Sequence, residues 1–149
     1  MVLTTNILRD VIYFLKTDIS TNITDPIAST RPTNQSFVMT SYPQKPVSSP
    51  LITIKDTNSY STERLGMQSE GFAHYIEMEI RIWARNVKER DTLADSVYDR
   101  LRTNQLDVSG SFRANGLHDM KISSMVNVDE PDGPKSKVIT IKIMFVADS

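Results

Sequence analysis

Few residues in this chain combine the type and spacing that chemistry needs. Glu77 and Glu79 stand two apart in a stretch, residues 73–85, that alternates like a strand. Residues two apart on a strand share a face at about 7 Å, a separation conceivable for a glycosidase-type carboxylate pair. Arg81 flanks both, however, and a solvated surface pair is the plainer reading. His118 and Asp119 adjoin in a stretch that reads as loop, where a hydrogen-bonded pair is the simpler account than a catalytic dyad. His74 precedes an exposed strand position and has no second ligand at metal spacing. Asp91, Asp95 and Asp99 recur at i, i+4 and i+8 of a helical stretch. Like charges at that spacing cost about 0.2–0.5 kcal/mol per pair. Arg102 is placed to relieve the last of them. The stripe is either a screened, solvated face or a docking stripe for basic groups of a neighbouring subunit. Trp83 sits on the polar side of the strand with Tyr75, Glu77, Glu79 and Arg81. It is either an interface anchor, the role in which Trp is enriched, or a cover for the edge of the core.

Other chemistries lack their residues. There is no cysteine, which removes thiolate catalysis, disulfides and Cys-based zinc sites. Only two histidines are present, so a His-rich metal cage cannot form. The five glycines are scattered, and none opens a helix after a strand as a phosphate-binding loop would. Ser109-Gly110-Ser111 has no general base indicated nearby. The reading is therefore a non-enzymatic protein without cofactor or metal. Seventeen basic and 18 acidic side chains give a net charge of −1, without the basic footprint of a nucleic-acid binder. The longest apolar run, VITIKIMFVA, is interrupted by Lys142 and is far too short to span a membrane. The N-terminus does not read as a secretory signal, so the glycosylation-type triplets at Asn22 and Asn34 read as chance matches.

These residues must be carried by one domain spanning residues 1–149. Ile7, Leu8, Val11, Ile12 and Leu15 recur at helical spacing and predict a helix over 5–17, capped by Thr4 or Thr5. Residues 18–36, rich in Ser, Thr and Asn with Pro26 and Pro32, read as a long loop, either partly disordered or part of a contact surface. Strands are predicted at 37–42, 51–56, 59–65 and 73–85. In the last, Ile76, Met78, Ile80, Ile82 and Ala84 form the core face. A helix over 87–103 follows, with Asn86 as cap and Glu89 three residues on, as in a capping box. It buries Leu93, Ala94, Val97, Tyr98 and Leu101. Residues 104–119 read as loop with a short strand as an option. Strands 120–130 and 137–147 then form a hairpin around the Pro131–Pro134 turn. The order predicts an α+β fold: a single mixed, mostly antiparallel sheet with both helices packed on one face.

An N-terminal helix, a strand of the type PLITIKD, a long strand ending in IRIWA, a helix starting NVKERDTLAD and a closing hairpin form a distinctive layout. The chain thereby resembles the tail-terminator, or tail-to-head joining, proteins of long-tailed (siphovirus-like) phages. The segment IEMEIRIWARNVKERDTLADSVYDRL carries most of the likeness, and the element order extends it over nearly the whole chain. The resemblance implies a structural virion protein at the head-proximal end of the tail, assembled in the host cytoplasm. Its partners would be further copies of itself in a hexameric ring, the tail tube protein and the head connector. The genome would pass through the ring without sequence-specific binding, and no membrane is involved. A ring needs a head-to-tail interface that closes, for which Glu77, Glu79, Arg81, Trp83, Asp91, Asp95 and Asp99 are the candidates. The family has no catalytic motif to carry over. Two alternatives stand beside this reading. One is another connector or neck protein. The other is a small enzyme whose site is built from loops 18–36 and 104–119 around His118, Asp119 and Glu77.

Overall fold

A computed structural model describes residues 7–33, 35–40, 50–64, 72–106, 117–129 and 135–147. Its elements are α1 (Ile7–Asn22), β1 (Val38–Met39), β2 (Leu51–Arg64), β3 (Phe72–Ala84), α2 (Val87–Leu106), β4 (Leu117–Asp129) and β5 (Lys135–Ala147). The strands form one sheet in the order β1-β2-β3-β5-β4. Only β1 and β2 pair in parallel; the other three ladders are antiparallel. α2 links β3 to β4, which run in the same direction, and β5 returns from β4 to fill the slot between them. This is a split β-α-β unit. The fold is thus the predicted α+β arrangement, with both helices on one face.

Alternation in β3 decides which face that is. Ile76, Met78, Ile80 and Ile82 are buried and pack with Ile52 and Ile54 of β2 and Ile139, Ile141 and Ile143 of β5. Val11, Leu15 and Ile19 of α1 and Leu93, Ala94, Val97 and Leu101 of α2 close the core from the other layer. Each such side chain contributes about 1.5–3 kcal/mol on burial, set against the ordering entropy of the chain.

Local polarity misplaces four boundaries. α1 runs to Asn22, five residues beyond the predicted end. Asp18 lies three residues after Leu15 and seven after Val11, on the core side, and accepts two bonds from Arg100 of α2 at 2.7 and 3.0 Å. Ser20 and Asn22 bond back to the carbonyls of Lys16 and Asp18, so the polar run serves the helix itself. Next, β2 is one strand through Arg64 rather than two. Its register shifts between Asp56 and Tyr60, so the polar residues that read as a break form an irregularity inside the strand. Of the predicted strand 37–42, residues 41 and 42 lie outside the described residues, and within 37–40 Val38–Met39 forms the ladder. The predicted loop 104–119 is helical at Asn104–Leu106 and strand from Leu117, which puts His118 and Asp119 in β4. Thr4, Thr5, Ser109-Gly110-Ser111 and the Pro131–Pro134 turn lie outside the described residues.

The loop after α1 is tied down by its own residues. Ile27 N–H donates to Asp25 Oδ1 at 3.0 Å, and Arg31 N–H to the Ile27 carbonyl at 2.8 Å. The Arg31 guanidinium grips both Asp25 oxygens, donates to the Pro50 carbonyl and stacks on Phe37, 5.4 Å from the ring centre. Its side chain is 5% exposed. Burial pushes the Asp25 carboxyl up, but the bonds from Arg31 and Ile27 and the Arg31 charge together hold it below its ordinary value.

Candidate functional site

The sheet face away from the helices carries four of the candidate interface residues. Pairing across β2, β3 and β5 sets Trp83 beside Leu51 and Ser136, Arg81 beside Thr53 and Val138, Glu79 beside Lys55 and Thr140, and Glu77 beside Lys142. A polar chain crosses this face. Trp83 Nε1 donates to Thr53 Oγ1 at 3.1 Å. The Arg81 guanidinium lies over the Trp83 ring at 3.9 Å from its centre, a cation–π contact. Arg81 also donates to Ser136 Oγ at 3.0 and 3.2 Å. Ser136 Oγ in turn donates to the Val128 carbonyl at 2.5 Å. Four strands, β2, β3, β5 and β4, are thereby joined through side chains.

Trp83 is the centre of this chain and only partly exposed. Leu51 beside it is fully buried and Thr53 nearly so, although both belong to the outer face. The Trp83 indole therefore works as a cover within the molecule. Further along, the face opens. Lys55 and Lys142 are 63% and 62% exposed. Glu79 and Glu77 lie 3.9 Å from them and are more recessed. Thr57 Oγ1 donates to Glu77 Oε1 at 2.9 Å. The two carboxylates are each held by a neighbour, so the surface offers lysine heads above and acids below.

The aspartate stripe lies on the other side of the molecule, on α2. Asp91 accepts from Arg90 at 3.0 Å and from Lys137 of β5 at 3.1 Å. The bonds from Arg90 and Lys137 hold its carboxyl below the ordinary value. Asp91 thus fastens α2 to the sheet, whereas Asp95 and Asp99 are exposed. The start of α2 is capped as its sequence predicts: Asn86 Oδ1 accepts from Glu89 N–H at 2.9 Å. The reciprocal bond falls one residue early, because Glu89 accepts from Arg85 N–H and the Arg85 guanidinium. The Arg85 hydrogen bonds hold Glu89 below its ordinary value.

A cleft of about 540 Å³ separates the turn after α1 from the first turns of α2, lined by Ile23, Pro26, Lys88, Leu93 and Ser96 among others. Glu77 is not among the described residues that line it, and residues 107–116 of the proposed enzyme loops lie outside the described residues. His74 lies within β3, and burial lowers its pKa. Among the described residues no three His, Asp or Glu side chains gather as a metal site, and no helix is long and apolar enough to cross a membrane. No protein-family model matches the chain, and no curated protein matches its sequence.

Sequence reading missed the two latches, Asp18–Arg100 and Asp25–Arg31. Asp18 could have been found from its helical spacing behind Val11 and Leu15. Nothing local announces Arg31 as the partner of Asp25 and Pro50.

Proposed function

We propose that this chain is a structural, non-enzymatic virion protein that forms a ring at the head-proximal end of a phage tail tube. There it would stop tube polymerisation and join the tail to the head connector. The observation that carries the reading is the two-sided surface. A sheet face with exposed lysines lies opposite a helix face with exposed Asp95 and Asp99. A ring closes by head-to-tail contacts between two different surfaces of each subunit, and such a pair of surfaces suits it. The likeness of the Ile76–Leu101 segment and of the element order to tail terminators gives the reading its biological form.

The test is the mass of the purified protein by light scattering, with negative-stain imaging, alone and with isolated tail tubes. A closed ring, hexameric on this reading, is the expected result in one or the other. Asp95→Lys should prevent it while leaving the thermal transition unchanged, because Asp95 is exposed. Trp83→Ala should also weaken assembly, but it removes the cover of Leu51 as well, so Asp95→Lys is the cleaner probe. A monomer under both conditions, or rings unaffected by Asp95→Lys, would overturn the proposed assembly surface.

A further inference from the structure

The edge strand β4 is the least protected part of the described surface. Ten of its 13 residues pair on one side with β5, and among the described residues no strand pairs on its other side. Six consecutive residues, Ser123–Val128, are exposed, so neither sheet face covers this end. Val126 is 53% exposed, and Met125 and Val128 are close to 40%. The run Ile122–Val128 contains no charge, proline or glycine. Natural edges are usually blunted by such residues. Two register shifts bend β4 before Ser124, but Ser124–Asp129 pairs with β5 without interruption. A regular stretch of backbone that no described strand pairs with on its outer side, flanked by apolar side chains, fits an extended strand.

We propose that this strand is the β4 edge of a second copy, paired antiparallel about a two-fold axis through Val126. Three features select this occupant. An antiparallel edge is complementary to itself, and this register sets Val126 against Val126, Ser124 against Val128 and Met125 against Asn127. Each pair shares a face, so the two outer sheet faces merge and the valines cluster across the axis. The charges also fit: Lys121 lies five positions from the axis, so the two copies' lysines stay roughly 30 Å apart. Finally, the opposite edge of the sheet is a poorer match. It offers the two residues of β1, then a β2 whose register shifts between Asp56 and Tyr60. A contact of one strand pair is small beside the ~1,600 Å² of a standard interface, so the dimer is weak and forms at high concentration. A two-fold contact cannot propagate into a ring, so the inference stands apart from the function proposed above.

The chain contains no cysteine, so a single introduced thiol reports the register. Paired residues on the axis have Cα atoms about 4.5–5.5 Å apart, within the span of a disulfide. Val126→Cys should therefore give a disulfide-linked dimer, twice 16.9 kDa, on mild oxidation at about 100 μM. Lys121→Cys should cross-link at least tenfold less. Val126→Lys should abolish the concentration-dependent dimer seen by light scattering without changing the thermal transition. Equal cross-linking of the two cysteine variants, or a dimer that survives Val126→Lys, would overturn the proposal. So would a Val126→Lys variant that loses rings, since the edge would then serve a head-to-tail contact. Rings that persist in Val126→Lys while the dimer disappears would support both readings separately.

Discussion

Arg100 holds one carboxylate inside the helix layer. Asp18 is 8% exposed and its carboxylate accepts two bonds from that guanidinium, whose own pKa the Asp18 bond raises. Removing Arg100 takes two charge-assisted bonds away from a buried carboxylate, which costs about 1–3 kcal/mol. Arg100→Ala is expected to lower stability by that amount in urea titrations. Arg100→Lys should recover only part of it, because an ammonium cannot reproduce the two-pronged contact. His74 gives the residue scale a pH dependence. Burial lowers its pKa from the ordinary 6.5, so the folded state favours the neutral ring. The unfolded chain then binds the proton more readily, and stability falls as pH drops through 6.5 toward the lowered value. His74→Gln should flatten the stability slope between about pH 7 and 5, measured by urea midpoints at each pH.

At the scale of elements, the start of α2 shows how a helix is fixed by a few polar atoms. Asn86→Ala removes the acceptor of the Glu89 N–H and should cost about 1 kcal/mol, read as a lower thermal midpoint. Glu89 and Asp91, on the same two turns, both have lowered pKa values. Their contribution is complete above the ordinary carboxylate range and is lost as pH falls through the lowered values. Acid unfolding should therefore begin below about pH 4, and Lys137→Ala should shift its onset upward by freeing Asp91 from one partner. Circular dichroism against pH would show it. This element was legible in the sequence because its information is local: the alternation of β3, the cap at Asn86 and the 3.6-residue period that follows. The end of α1 was not, because Asp18 meets Arg100 82 positions away. The unity of β2 was hidden for a related reason. Its Thr57-Asn58-Ser59 run has turn-like composition, yet β3 pairs on both sides of it and carries the strand through. Of the candidate site, the face shared by Glu77, Glu79, Arg81 and Trp83 could be read from the period of two. The inward role of Trp83 could not, since Thr53 and Leu51 come from a strand whose register no local pattern supplies.

For the whole molecule, the exposed Lys55 and Lys142 lie on the opposite layer from the exposed Asp95 and Asp99, and this makes the ring reading open to a mixing test. On that reading a head-to-tail contact would join the sheet face of one subunit to the helix face of the next. Asp95→Lys damages the helix side alone. Lys55→Ser with Lys142→Ser damages the sheet side alone. Their ion pairs, at 3.9 Å and well exposed, belong to a class that contributes about 0–1 kcal/mol each, so the fold should survive. Each variant by itself has every contact spoiled on one side and should remain monomeric. In an equimolar mixture, the intact sheet face of Asp95→Lys can meet the intact helix face of the lysine variant. That single contact leaves a damaged surface at each outer end. The mixture should therefore form heterodimers that cannot grow, detected as a mass of twice the subunit by light scattering. Raising the salt concentration should weaken them, because the contact is between exposed charges screened over about 8–10 Å at physiological ionic strength. Monomers alone in the mixture would show that the two faces do not meet each other, and full rings would show that neither charge set is needed.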